Sequence, residues 1–201
     1  MTVGLLLAWC VWWENLQQDQ APAVKEEIVE SAVLVSKEIQ PESSCVLIDN
    51  FSDNSGWQVV NDGVMWGLSR GNYLIEDEQL VFSGVINTDG GWFSSIRLPL
   101  WWADYSGFTH IKIIGNSDNR WYDFTLRDTN WRQRNISHRH QLDLVDWEGL
   151  IDLSELGTTF FGRVVSASPL NTSSISEIGI ILNDGLDGDF KIELDEIWGC
   201  G

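Results

Sequence analysis

Basic residues are scarce in this sequence of 201 residues. Only 12 lysines and arginines oppose 30 acidic residues, which gives a formal net charge of −18 at pH 7. A chain with this balance repels the phosphate backbone of nucleic acids, so we expect no nucleic-acid partner. The plainest role of the surplus acids is to keep the protein in solution.

Cysteine is also rare, and its spacing matches no metal-binding pattern. The three cysteines are Cys10, Cys45 and Cys200. Neither a C-x-x-C pair nor a cysteine spaced from histidine in the zinc-binding manner is present, which argues against a structural zinc site. Residues 183–189 (NDGLDGD) offer oxygen ligands, but not at the spacing of an EF-hand loop, and a turn between strands explains their glycines equally well. We therefore expect no metal and no cofactor.

The N-terminal apolar segment is too short to cross a bilayer. Residues 1–13 contain the apolar run TVGLLLAWCVWW, whereas a membrane-spanning helix needs about 20 residues. The run resembles the apolar core of a secretory signal, yet no Lys or Arg precedes it, so we expect a leader or anchor whose true start lies upstream. The alternative is a hydrophobic arm packed on the domain. Residues 14–44 follow as an acidic spacer with a weak helical period, and membrane contact is expected only through the N-terminal segment.

From residue 45 to 201, short apolar stretches alternate with Gly, Asn and Asp clusters. Residues 121–127 show a period of two, because Tyr122, Phe124 and Leu126 are separated by residues that would point to the opposite side of a strand. Helical patterns of twelve or more residues are missing between these stretches, which disfavours a parallel α/β fold. The pattern predicts an all-β sandwich or barrel.

Three stretches of this region resemble a known family. They are WQVVNDGVMWGLSRG (57–71), LVFSGVINTDGGWFSSIRLPL (80–100) and ISEIGIILNDGLDGDFKIELDEI (175–197). In this order they are similar to the complex I intermediate-associated protein family of the thirty-kilodalton type. The resemblance implies a jelly-roll β-sandwich of the galactose-binding-like superfamily. The family's most distinctive positions fall on Asn61, Asp62, Ser69, Ser95 and Arg97.

Two tryptophans depart from the family pattern. Trp66 stands where the family usually has the first of two glycines, and Trp92 separates a Gly-Gly pair from Phe93. Glycine is typical where the backbone takes a positive φ or is closely approached. A tryptophan at such a position either accepts the geometry or changes the loop. For Asn61 and Asp62 we favour a role in holding turns together.

The resemblance implies a non-enzymatic binding protein. The mitochondrial members of this family suggest a role as an assembly factor or chaperone, which holds a protein partner while respiratory complex I matures. The alternative is a carbohydrate-binding module, because jelly rolls often present a concave aromatic face to glycans. Residues 67–71 (GLSRG) match the G-x-S-x-G string of hydrolases, but the strand before it and the helix after it are missing, so no catalytic residue is expected.

The basic region of the chain supplies the candidate ligand-binding residues. Residues 120–140 hold five arginines and two histidines against two aspartates. Alternation puts Trp121 and Arg127 on one face of their strand, and an aromatic ring beside a guanidinium suits a sugar or an acidic peptide. A solvated face with ion pairs is the plainer explanation. The predicted ligand-binding residues are Trp121, Arg127 and Arg132.

The cysteines link the fold to a compartment. Cys45 opens the first predicted strand and Cys200 follows the last, and the outer strands of a jelly roll of this type commonly run close together. A Cys45–Cys200 disulfide would fit an oxidising compartment. Cys10 follows residues 7–9 (LAW), which resemble a lipobox except for Trp9, where a small residue is required. These features predict a bacterial periplasmic or membrane-anchored lipoprotein; the alternative is three unrelated thiols in a cytoplasmic protein.

Overall fold

A computed structural model of the protein describes residues 44–53, 56–130, 132 and 135–201. The predicted leader, the acidic spacer up to residue 43, and Cys10 lie outside these residues. In the described residues, no helix has both the length and the apolar character needed to cross a membrane.

The described part of the chain folds into thirteen strands and two short 3-10 turns, Asp62–Met65 and Thr172–Ser174. The strands are β1 (Cys45–Asp49), β2 (Gln58–Asn61), β3 (Arg70–Glu76), β4 (Gln79–Ile86), β5 (Ser94–Ala103), β6 (His110–Ser117), β7 (Tyr122–Asp128), β8 (Ile136–Leu142), β9 (Glu148–Asp152), β10 (Gly157–Phe160), β11 (Arg163–Val164), β12 (Ile175–Leu182) and β13 (Gly188–Cys200). The predicted all-β class is confirmed.

Two antiparallel sheets form the sandwich. The six-stranded sheet has the order β3-β4-β13-β6-β9, with β1 also paired to β13, and the seven-stranded sheet has the order β11-β10-β8-β7-β12-β5-β2. Alternate residues of the central strands fill the core between the sheets. On β7, Tyr122, Phe124 and Leu126 are at most 1% exposed, as the alternation predicts. The intervening residues of β7 therefore point to the outer face of the sheet.

The two ends of the domain meet in one ladder. β1 pairs with β13 so that Cys45 stands opposite Cys200. A disulfide joins the two cysteines across a sequence separation of 155 residues. The bond closes the described domain at the point where its first and last strands pair.

Candidate functional site

A groove crosses the outer face of the seven-stranded sheet. Its floor is made by side chains of β5, β7, β8 and β12 that alternate with core residues and therefore point away from the core. The cavity measures about 470 Å³, which lies within the usual range for ligand pockets. Its walls include Trp92 and Phe93 from the β4–β5 loop and Phe161 from the β10–β11 turn.

Strand register sets the order of groups across the floor. Arg97 on β5 pairs with Gly179 on β12, which pairs with Thr125 on β7, which pairs with Arg139 on β8. Neighbouring strands lie about 4.8 Å apart, so the backbones of the two arginines are roughly 14 Å apart. A Cβ at Gly179 would lie only 2.6 Å from Thr125 Oγ1. The absence of a side chain at Gly179 thus leaves space between the two arginines.

Three guanidinium groups share two carboxylates in this floor. Arg127 Nε lies 3.4 Å from Glu177 Oε1, and Arg97 Nε lies 4.0 Å from the same oxygen. Arg139 Nη1 lies 2.9 Å from Asp123 Oδ2. The floor therefore holds one positive charge more than its two carboxylates balance.

Serine hydroxyls orient two of the arginines. Arg97 Nε donates to Ser95 Oγ at 3.3 Å, and Arg127 Nε donates to Ser137 Oγ at 3.0 Å. Burial lowers the pKa of Arg97; Glu177 opposes this change, and the like charge of Arg127 adds to it. Arginine stays charged in spite of such a shift, so Arg97 is a cation whose loss of hydration outweighs the favourable effect of Glu177.

A buried carboxylate connects the loops on one side of the groove. Asp62 has no exposed surface. It accepts hydrogen bonds from the backbone N–H groups of Ser69 at 3.0 Å and Phe93 at 3.3 Å, and from the hydroxyl of Ser69. Its own N–H donates to the carbonyl of Phe93 at 3.2 Å. Asp62 thus holds the β2–β3 connection against the loop that carries Trp92.

The side chain of Asp62 packs so closely against two glycines that neither position has room for a side chain. Each of these glycines is next in sequence to one of the two unusual tryptophans. A Cβ at Gly67 would lie 2.2 Å from Asp62 Cγ, and one at Gly91 would lie 2.3 Å from Asp62 Oδ2. Trp66 comes directly before Gly67, adopts a left-handed φ of 71° and is 92% exposed. The backbone therefore keeps a conformation typical of glycine while the indole of Trp66 projects into solvent. Trp92 follows Gly91 and is 46% exposed at the groove.

The structure divides the predicted ligand-binding residues. Arg127 lines the groove, together with Ser95 and Arg97 from the family motif. Trp121 is 68% exposed directly before β7 and Arg132 is exposed in the β7–β8 connection, but neither lines the groove. Their expected place on one recognition face with Arg127 stays a prediction.

Asn61, a residue of the family motif, does not line the groove. Its side chain exchanges two hydrogen bonds with the backbone of Gly71, at 2.9 and 3.2 Å, and also accepts one from Ser94 Oγ at 2.6 Å. Asn61 therefore connects β2 to β3 and β5, which agrees with a role in holding turns together.

Several groove residues escaped the sequence analysis. Arg139 lies on β8, a strand whose sequence ISHRHQL shows little apolar alternation. Trp92, Phe93 and Phe161 lie in connections between strands, and only the folded chain brings them to one groove. The excess of arginine in residues 120–140 was the available signal for Arg139.

The G-x-S-x-G string is part of the buried network. Ser69 is 4% exposed, and its hydroxyl donates to Asp62. A 3-10 turn precedes it and β3 follows it. The serine thus has a structural partner and lacks the surroundings of a hydrolase nucleophile.

A guanidinium occupies the acidic loop at residues 183–189, whose oxygen atoms resemble calcium ligands. Arg120 Nε and Nη2 bind the two carboxylate oxygens of Asp184 at 2.9 and 2.6 Å. Arg120 also donates to the carbonyl oxygens of Gly188, Asp189 and Leu186. Across the residues that the structure describes, no group of three or more His, Cys, Asp and Glu side chains could hold a metal ion.

The sequence model of the family described as Complex I intermediate-associated protein 30 matches residues 47–194. This chain belongs to that family. The predicted resemblance is confirmed, and the match covers both the Asp62 network and the groove floor. No curated protein sequence is similar enough to the chain to count as a match.

Three solved structures have a fold similar to that of this Complex I intermediate-associated protein 30 domain. The family 11 carbohydrate-binding module of a cellulosomal cellulase of Clostridium thermocellum is 14% identical with a TM-score of 0.59, covering 79% of this chain and 96% of that one. The same module from that organism, in complex with a mixed-linked tetrasaccharide, is 16% identical with a TM-score of 0.59, covering 78% and 95%. An agarase is 10% identical with a TM-score of 0.52, covering 78% and 24%. At these identities the similarity shows the fold alone.

Proposed function

We propose that this domain is a non-catalytic carbohydrate-binding module whose ligand lies in the groove of the seven-stranded sheet. The observation that carries the proposal is the combination of aromatic walls with a polar floor in one concave site. A sugar ring has apolar C–H faces that stack on aromatic side chains and hydroxyl groups that need hydrogen-bond partners. Trp92 and Phe161 supply the first kind of contact, and Thr125, Ser137 and the arginines supply the second.

The position of the groove supports this proposal. The site lies on the outer face of a sheet, where the fold supplies a rigid floor, while the aromatic walls come from loops that Asp62 and tight turns hold in place. The family 11 modules share this sandwich, and one of them was solved with a tetrasaccharide. A binding role without catalysis also agrees with the engagement of Ser69 by Asp62.

An assembly role with a protein partner is the second candidate. Among the described residues, five exposed tryptophans stand outside the groove lining: Trp66, Trp101, Trp102, Trp121 and Trp147, which are 92%, 102%, 64%, 68% and 52% exposed. Exposed aromatic residues are enriched at protein interfaces, and the family takes its name from complex I intermediates. If the domain has this assembly role, replacing Trp101 and Trp102 by alanine abolishes cross-linking of the domain to a respiratory complex subunit. Trp92→Ala does not abolish it.

The disulfide supports a proposed location outside the cytoplasm. Bonds such as Cys45–Cys200 form and persist in oxidising compartments. A carbohydrate-binding module in the periplasm or at the cell surface would meet polysaccharides there. Lipid attachment at Cys10 would anchor it.

Titration calorimetry with Trp92→Ala tests the proposed groove. Arrays of plant, algal and bacterial oligosaccharides identify a ligand, and calorimetry then measures its affinity. We expect Trp92→Ala to weaken binding at least tenfold, equal to about 1.4 kcal/mol. Trp147→Ala is the matched control, because Trp147 has a similar exposure and precedes β9 of the other sheet.

The same titrations can refute the proposal. Affinity that survives Trp92→Ala and Phe161→Ala, in variants whose melting temperature is unchanged, would place the ligand elsewhere. Failure of every oligosaccharide class to bind would favour the protein-binding candidate.

A further inference from the structure

The groove floor concentrates guanidinium groups in a chain that has few bases. Arg97, Arg127 and Arg139 have side chains only 22%, 25% and 22% exposed. Half-burying three cations costs solvation free energy unless negative charge balances them. Glu177 and Asp123 balance two of the three. A ligand that covers the floor would remove more water from the remaining positive charge.

Arg97 and Arg127 converge on one point of the floor. Both Nε atoms approach Glu177 Oε1, and each also donates to a serine hydroxyl. These contacts fix the Nε edge of each guanidinium. Among the residues that the structure describes, no group accepts a hydrogen bond from the Nη atoms of Arg97 or Arg127. Both arginines line the groove, so a ligand that lies in it can accept hydrogen bonds from the fork-shaped ends of two neighbouring guanidiniums.

The chemistry of these forks favours a carboxylate. A planar guanidinium binds a carboxylate through two parallel hydrogen bonds, which are stronger than bonds to neutral hydroxyls. A neutral sugar would leave the surplus positive charge desolvated beneath it. A carboxylate would balance that charge and, like Glu177, would favour the charged form of Arg97.

The acidic surface of the protein does not prevent such binding. Repulsion between exposed charges is screened beyond about 8 Å at physiological ionic strength. Contact with two half-buried arginines is short-range and is screened much less. An acidic peptide would satisfy the arginines too, but it would bring no rigid ring for the aromatic walls at Trp92 and Phe161.

We propose that the groove selects an acidic saccharide, and that Arg97 and Arg127 bind the carboxylate of a uronic acid unit. The inference rests on the proposed function and narrows its ligand class. Arg139, whose backbone lies roughly 14 Å from that of Arg97 across Gly179 and Thr125, would contact hydroxyl groups of a neighbouring sugar unit while Asp123 balances its charge.

Two matched ligands test the inference: a tetrasaccharide of galacturonic acid and the tetrasaccharide of galactose with the same linkage. Calorimetry is run on the wild-type chain and on Arg97→Gln, Arg127→Gln and Arg127→Lys, with melting temperatures as the check on folding. Arg70→Gln is the control, since Arg70 is exposed on β3 of the six-stranded sheet.

We expect the wild-type protein to bind the acidic tetrasaccharide at least tenfold more tightly than the neutral one. Arg97→Gln and Arg127→Gln should each remove most of this preference, because each weakens binding of the acidic tetrasaccharide more than binding of the neutral one, and Arg127→Lys should keep part of it. The control should keep all of it. The inference is overturned if the wild-type protein binds the neutral tetrasaccharide as tightly as the acidic one or more tightly. It is also overturned if both Gln variants retain the preference for the acidic tetrasaccharide. Either result leaves the proposed function standing. Binding of an oligoglutamate peptide, with no affinity for either saccharide, overturns both.

Discussion

Asp62→Asn isolates the role of the buried carboxylate beside the groove. The change keeps the shape of the side chain and replaces one carboxylate oxygen by an NH₂ group. Asp62 accepts from two backbone N–H groups, those of Ser69 and Phe93, through different oxygens. An asparagine has one acceptor oxygen, so one of these N–H groups would face another donor.

The structure sets the size of the effect. Hydrogen bonds to a charged group contribute about 1.5–3 kcal/mol each, and an unpaired buried N–H costs about 1–3 kcal/mol. Asp62→Asn loses the charge from the bonds that remain and leaves one N–H unpaired. We expect the free energy of unfolding to fall by about 3 kcal/mol, a large part of the roughly 5–15 kcal/mol of a typical domain.

Urea unfolding followed by tryptophan fluorescence measures this loss. With an m-value of about 2 kcal/mol/M, the midpoint should move down by roughly 1.5 M. Asp77→Asn is the control, because Asp77 is exposed in the β3–β4 turn with a φ of 52° that asparagine accepts; its effect should stay within about 0.5 kcal/mol. An Asp62→Asn midpoint equal to that of the control would refute the account of the loop connection. Asp62→Ala, which removes every acceptor, should be worse still.

Two further predictions concern the ends of the domain and the acidic loop. Replacing Cys45 and Cys200 together by serine should destabilise the domain by about 5 kcal/mol in the chain-entropy treatment of a loop of 155 residues; urea midpoints that are identical with and without reductant would contradict this. Burial raises the pKa of Asp184, but the hydrogen bonds from Arg120 and from Leu186 N–H outweigh it and leave the pKa lowered. The stability that this pair contributes is therefore present above the unfolded pKa of about 3.9 and is lost as the pH falls through the lowered folded value. Arg120→Gln should therefore reduce the melting temperature by several degrees at pH 7 and by much less near pH 2. An equal loss at both pH values would show that the charge of Asp184 is not involved.

The sequence predicted those features that depend on local order. The alternation of Tyr122, Phe124 and Leu126 marked β7 and its inward face, because strand geometry alone produces a period of two. β8 was missed because its inward residue His138 is polar, although it is only 2% exposed. Burial lowers the pKa of His138, which outweighs the opposing effect of Asp128. Because a buried imidazole takes the place of an aliphatic side chain, the alternation of apolar residues that would indicate a strand is missing here.

The arrangement of the groove floor required information that the chain order does not contain. Arg97 and Arg127 are 30 positions apart in sequence, yet both approach Glu177 because β5 and β7 pair with opposite edges of β12. Trp121 shares the alternation of Arg127, but the alternation says nothing of where the groove ends. The excess of arginine in residues 120–140 indicated the right sheet, and register between strands decided which of those arginines share a cavity.

The Cys45–Cys200 bond also determines how the domain responds to force. Tension applied between the chain before Cys45 and the chain after Cys200 passes through the sulfur atoms and not through the strands enclosed between them. The sandwich therefore carries no mechanical load while the bond is intact, and stretching cannot unravel it from either end. Under reducing conditions the same pull would act directly on the β1–β13 ladder, and β1, paired over only a few residues, would be the first strand to detach.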